Sequence, residues 1–202
     1  MQLDRAQGCL LGQLAGDAPC SLVEFQSPKE IRRRYPQGLR ELSDGGTWNT
    51  IAVPLTDDSE MALLLARMLL ERGTYDINAA FDAYKFWLNS NPFDCGSTIS
   101  AGLRGHPNKA SQANGAMMRI SPLGIFAVRH SLDTVGVWAR QDVALSHPNP
   151  VCLQANALFA MAIAYAISSG CDGETLYSKI KQWAHEQEVD PALMEIIEEA
   201  AK

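Results

Sequence analysis

The chain has 202 residues, 47% of them hydrophobic and 20% charged, with a net charge of -6 and a pI near 5.2. That length allows one domain, residues 1–202, with a substantial core. The acidic balance excludes a broad nucleic-acid footprint, which needs clustered Lys and Arg. Five cysteines without a CxxC pair, and no leader-like apolar run ahead of Asp4 and Arg5, fit a cytoplasmic protein.

In chain order, Leu3 to Gly16 reads as a helix with Gly8, Gly12 and Gly16 on one face. Each glycine costs about 1 kcal/mol against alanine in a helix, so three in register point either to tight packing or to a ligand. Residues 17–57 are rich in Gly, Pro and Ser and show no lasting period, the mark of a functional or disordered stretch. Within it Arg32-Arg33-Arg34 stands beside Glu30 and reads as a solvated helix face. Met61 to Leu70 is apolar nearly all round, as a central helix is, and Gly73 is a plausible stop.

Further helices are expected over 76–89, 131–145, 151–168, 173–187 and 191–201, the last opened by Asp190-Pro191. The most apolar stretch, Ala157 to Ile167, is too short to span a bilayer. No run of alternating strand residues appears, so the fold class is all-α, a multi-helix domain.

Four segments carry chemistry. Pro54-Leu55-Thr56-Asp57-Asp58-Ser59 sets oxygen-bearing side chains together at the start of a buried helix. They could cap that helix, or hold a hard cation such as Mg²⁺. Phe93-Asp94-Cys95-Gly96-Ser97-Thr98 is a polar loop between helices. Asn114-Gly115 is a turn signal where backbone can approach a ligand closely, and Pro122 is expected to prevent a regular helix there. Ser146-His147-Pro148 ends a helix with a histidine, either a dipole partner or a ligand.

Together these segments resemble the ADP-ribosylglycohydrolase family, and they fall in family order. Arg5-Ala6-Gln7-Gly8, Gly12 and Gly16-Asp17-Ala18 resemble its opening helix, Val23-Glu24-Phe25 its flap, and Thr56-Asp57-Asp58-Ser59 the first half of its metal site. The Asp94 loop, the Asn114 to Pro122 segment and His147-Pro148 follow.

The resemblance implies hydrolysis of the bond joining ADP-ribose to a protein side chain or a small conjugate. It implies that Thr56, Asp57 and Asp58 hold Mg²⁺ or Mn²⁺, two ions in the family, with Asp58 or Glu24 steering the attacking water. It further implies that Asp94 binds ribose hydroxyls, that Gly115 and Met118 offer backbone groups to the phosphates, and that His147 closes the pocket edge. Gly96, Ser97 and Asn114 complete the implied substrate-binding set.

Two departures shape the expectation. The family closes its metal site with a second acidic motif, Gly-Asp-x-Asp-Thr, which this sequence lacks. Val53-Pro54-Leu55 also lacks a glycine that the family pattern places before the metal turn. The expectation is therefore a domain incomplete at its C-terminal side, its site completed by a second chain or a C-terminal fragment. The alternative is an inactive relative that binds ADP-ribose or a protein partner. A helical phosphohydrolase built on a His-Asp dipeptide is excluded, because the four histidines precede Pro, Ser, Pro and Glu.

Overall fold

Helix ends follow local chemistry throughout the computed structural model, which describes residues 1–52 and 55–200. Val53 and Pro54, at the expected missing glycine, and Ala201, the expected end of the last helix, lie outside the described residues. The described residues form α1 (Gln2–Cys20), α2 (Pro28–Arg34), α3 (Asp57–Arg72), α4 (Ile77–Asn89), α5 (Ser97–Leu103) and α6 (Ser121–Phe126). A 3-10 turn (Ala127–Arg129) leads into α7 (Leu132–Ala144), α8 (Pro150–Ser169), α9 (Gly173–Glu186) and α10 (Pro191–Glu199). Among them there is no strand, only an isolated bridge between Gly45 and Thr50.

Asp76, Ser131, Asn149, Asp172 and Asp190 each cap the helix that follows, accepting backbone N–H groups that have no intrahelical partner. Gly73 ends α3 in the left-handed conformation, at φ 66°, as its position after the apolar run suggests.

The core runs from α3 and α4, packed on each other, through α6 and α7 to α8. Met61, Leu65 and Leu69 of α3 pack there with Tyr84 and Trp87 of α4, Leu123 of α6 and Val135 and Ala139 of α7. Burial of each large apolar side chain contributes roughly 1.5–3 kcal/mol. Gly124 of α6 lets α8 approach closely: a Cβ on it would stand 2.9 Å from the Ala160 carbonyl and 2.8 Å from Ile163 Cβ.

Two expectations are corrected and one is met. Pro122 does not exclude a helix; it occupies the first turn of α6, where a missing N–H costs nothing. Arg32, Arg33 and Arg34 do lie on a solvated helix face, exposed in the last turn of α2, which a reciprocal capping box between Ser27 and Glu30 sets within the otherwise irregular stretch. The apolar run around Ala157 to Ile167 belongs to a 20-residue helix, α8, long and apolar enough to cross a membrane by length and composition. Here α8 packs against α6, α7 and α9, with Ala157, Leu158, Ala160, Met161 and Ala164 all buried.

Candidate active site

The C-terminal end of α1, the turn behind it, the start of α3 and the loops before α5 and α6 enclose a cleft of about 680 Å³. Its lining includes five carboxylates, Asp17, Glu24, Asp57, Asp58 and Asp94, and no Lys or Arg.

Thr56 occupies the N-cap position of α3, yet its side chain does not cap the helix. Its hydroxyl donates to Asp17 Oδ1 at 2.6 Å, and its N–H donates to Asp17 Oδ2 at 3.0 Å. Asp17 thus holds the turn from α1, and Thr56 Oγ1 lies 3.4 Å from Asp58 Oδ2. Asp57 accepts the Gly96 N–H at 3.1 Å, which ties α3 to the Asp94 loop. Of the two readings of this segment, side-chain capping by Thr56 is thereby excluded. The acids themselves still sit in the first helical turn, where the dipole favours them.

Crowding of like charge shows in the titration. Burial, then the neighbouring Asp57 and Asp17, push Asp58 up to about 6. Burial, then Asp57, Glu24, Asp58 and Asp17, push Asp94 up to about 7. Asp57 is also raised, chiefly by burial, despite the Gly96 hydrogen bond. An acidic cleft of this kind is stabilised by a cation, and its oxygen donors are those that Mg²⁺ and Mn²⁺ prefer. Among the described residues, however, no group of three His, Cys, Asp or Glu side chains is placed to enclose a metal. The donor types are those a hard cation prefers.

Glu24 lies on the turn after α1 and accepts the Trp48 indole N–H at 3.0 Å. The next residue, Phe25, stands at φ 60°, a left-handed conformation uncommon for an aromatic residue. Its ring meets Trp48 edge-on at 6.0 Å, and Trp48 meets Phe93 likewise at 6.0 Å, an aromatic row beside Glu24.

On the opposite wall Asn114, Gly115 and Met118 line the cleft with Ser97 and Gly96. The Met118 backbone is already engaged: its N–H donates to the Asn114 carbonyl at 3.2 Å, and its carbonyl accepts Gln13 Nε2 at 2.7 Å. His147 is fully buried, with Nδ1 2.8 Å from Ser146 Oγ and no hydrogen-bond partner for Nε2 among the described residues. Burial, then the charge of Arg119, lower it to about 4. It is a neutral imidazole at neutral pH, so it is not a cationic dipole partner for α7.

The residues that the resemblance implied for metal, catalysis and substrate therefore all line one cleft. Two that matter were not singled out as site residues. Asp17 was visible only as part of the Gly16-Asp17-Ala18 pattern. Gln13 bonds Asp58 O, Met118 O and Ser121 Oγ at once, joining α1 to both walls; nothing in its local sequence signals this.

An all-helical frame thus gathers acids from α1, the turn after it, α3 and the α5 loop into one cleft. The family model described as ADP-ribosylglycohydrolase matches residues 1–202, and the chain belongs to that family. It is 32% identical over 158 residues to the ADP-ribosyl-[dinitrogen reductase] glycohydrolase of Rhodospirillum rubrum, covering 73% of this chain and 53% of that protein. It is 26% identical over 196 residues to ADP-ribosylarginine hydrolase Tri1 of Pseudomonas putida, covering 89% and 51%. A solved structure, an ADP-ribosylglycohydrolase-related protein complex, superposes with a TM-score of 0.79 at 25% identity over 98% of this chain and 67% of its own. The chain thus spans about half the length of these two curated relatives.

Proposed function

We propose that the chain forms the metal-binding and ribose-binding part of a hydrolase that removes ADP-ribose from a modified protein side chain or a small conjugate. The observation that carries this is the cleft of five carboxylates with no Lys or Arg among its described lining residues, organised by the Asp17–Thr56 hydrogen bonds. Thr56, Asp57 and Asp58 are the residues that would hold Mg²⁺ or Mn²⁺. Such an ion, when bound, would orient ribose hydroxyls and lower the pKa of a water.

Cleavage at the anomeric carbon develops positive charge in an oxocarbenium-like transition state, which nearby carboxylates stabilise. Asp58, beside the other residues that would hold the cation, is the group assigned to steer the attacking water. Glu24, on the facing turn and held by Trp48, is the other group able to do so. Asp94 accepts ribose hydroxyls when ionised and donates to them when protonated. Gly115 allows close backbone approach to the phosphates, and His147 Nε2 provides a polar contact at the pocket edge. Steady-state release of ADP-ribose from peptides modified on arginine or on serine tests the proposal. D58N is expected to lower kcat at least about 100-fold, the usual contribution of a positioned acid or base. Unchanged kcat in both D58N and E24Q would remove the assigned chemistry.

A second reading is an inactive relative that binds ADP-ribose or a protein partner without turnover. It is favoured by the incomplete ligand set among the described residues. Tight ADP-ribose binding by the 202-residue protein with no release from either peptide supports that reading over the first.

A further inference from the structure

The Met118-Arg119 pair belongs to the sequence pattern of the cleft wall, yet Arg119 does not face the cleft. It is fully buried behind the wall. Its Nε donates to Asp142 Oδ1 at 3.1 Å, its Nη2 to the Asp142 carbonyl at 3.2 Å and its Nη1 to the Gly115 carbonyl at 3.5 Å. The guanidinium lies over the Tyr84 ring at 4.4 Å, and the Tyr84 hydroxyl donates to Asp142 Oδ2 at 2.9 Å. One side chain thus joins the Gly115 turn to α7, and His147 follows α7 directly.

The turn tolerates little displacement. A Cβ on Gly115 would fall 2.9 Å from Ile99 Cδ1 and 3.2 Å from His147 Cε1, so glycine, histidine and isoleucine already meet without spare room. A buried ion pair is weak evidence for stability, since a well-packed apolar replacement often serves as well. Its geometric effect is another matter: a planar fork with several donors fixes more than one acceptor at once, which an ammonium cannot do.

We infer that Arg119 is a positioning residue, a buried clamp that sets the Gly115 turn and His147 against each other to form the pyrophosphate side of the cleft. The inference rests on the proposed ADP-ribose site for its functional consequence, and on geometry alone for the clamp.

The test compares the 202-residue protein with R119K, which keeps the charge and loses the fork. ADP-ribose titration calorimetry in Mg²⁺ and amide hydrogen exchange of the ligand-free protein are measured side by side. R119K is expected to bind ADP-ribose at least tenfold more weakly. Its Met117 and Met118 amides, both bonded to the Asn114 carbonyl, are expected to exchange faster while α8 amides keep wild-type rates. Binding within threefold of wild type overturns the inference, as does acceleration spread equally over α8 and the turn.

If wild type itself binds no ADP-ribose, the reading of the cleft falls and the exchange comparison alone decides the clamp. Should R119K not fold, Y84F carries the same exchange test, because it removes one hydrogen bond from Asp142 and leaves the ion pair in place. Faster exchange confined to the turn then supports the clamp, and wild-type exchange overturns it.

Discussion

At the scale of single residues, the cleft is a set of carboxylates held closer together than their charges favour. Asp58 and Asp94 are raised to about 6 and about 7 from 3.8, so the folded protein binds those protons more tightly than the unfolded chain. Their contribution to stability is present at low pH and is lost as pH rises through those values. His147, lowered to about 4 from 6.5, acts in the opposite sense: its contribution is present above 6.5 and is lost as pH falls toward 4. The two effects oppose each other between about 4 and 6.5, and above that, of these three groups, only the carboxylates still change charge. In EDTA the melting temperature is therefore expected to fall between pH 6.5 and 8, and D94N is expected to flatten the slope. Mg²⁺ is expected to raise the curve most at pH 8. A melting temperature that rises across that interval would contradict the account.

At the scale of elements, the glycine face of α1 separates packing from ligand access. Gly8, Gly12 and Gly16 are exposed, and a Cβ at any of them would meet no atom within 4 Å. Packing within the described residues thus does not explain them, which was one of the two readings open from sequence. G8A, away from the cleft, is expected to gain up to about 1 kcal/mol in chemical denaturation without change in ADP-ribose binding. G12A and G16A gain similarly, but both positions line the cleft, so they are expected to weaken binding. By contrast G124A is expected to destabilise by roughly 1–3 kcal/mol, because its Cβ would press into Ile163 and the Ala160 carbonyl. A neutral G124A would show that α6 and α8 are looser than described.

The longer helices were legible from sequence because apolar periodicity and caps agree in them: Asp190-Pro191, Gly73 and the 76–89 segment all behave as read. Two short helices were not: α5 and α6 have seven and six residues, too few to show a period. The helix face at Arg32-Arg33-Arg34 was read, but the bounds of α2 were not, because they depend on one capping box. The site was legible as a set of segments, since motifs of adjacent residues survive in sequence. Its connections were not, because Asp17 with Thr56, Gln13 with Met118 and Arg119 with Asp142 join residues that only the fold brings together.

At the scale of the whole molecule, the chain is an ADP-ribosylglycohydrolase-family domain spanning about half the length of the two curated relatives. Its acidic cleft is assembled on one side by α1, α3 and the α5 loop, while α7 and α8 support the other wall. The incomplete ligand set among the described residues makes weak metal affinity the natural expectation, so millimolar Mg²⁺ or Mn²⁺ belongs in every assay. The most direct measurement is ADP-ribose release from an arginine-modified peptide by the 202-residue protein, in Mn²⁺ or Mg²⁺ and again in EDTA, beside the D57N/D58N variant. The account predicts release that requires the divalent cation and is abolished in the variant. Release that persists in EDTA, or no release under any of these conditions, would contradict it.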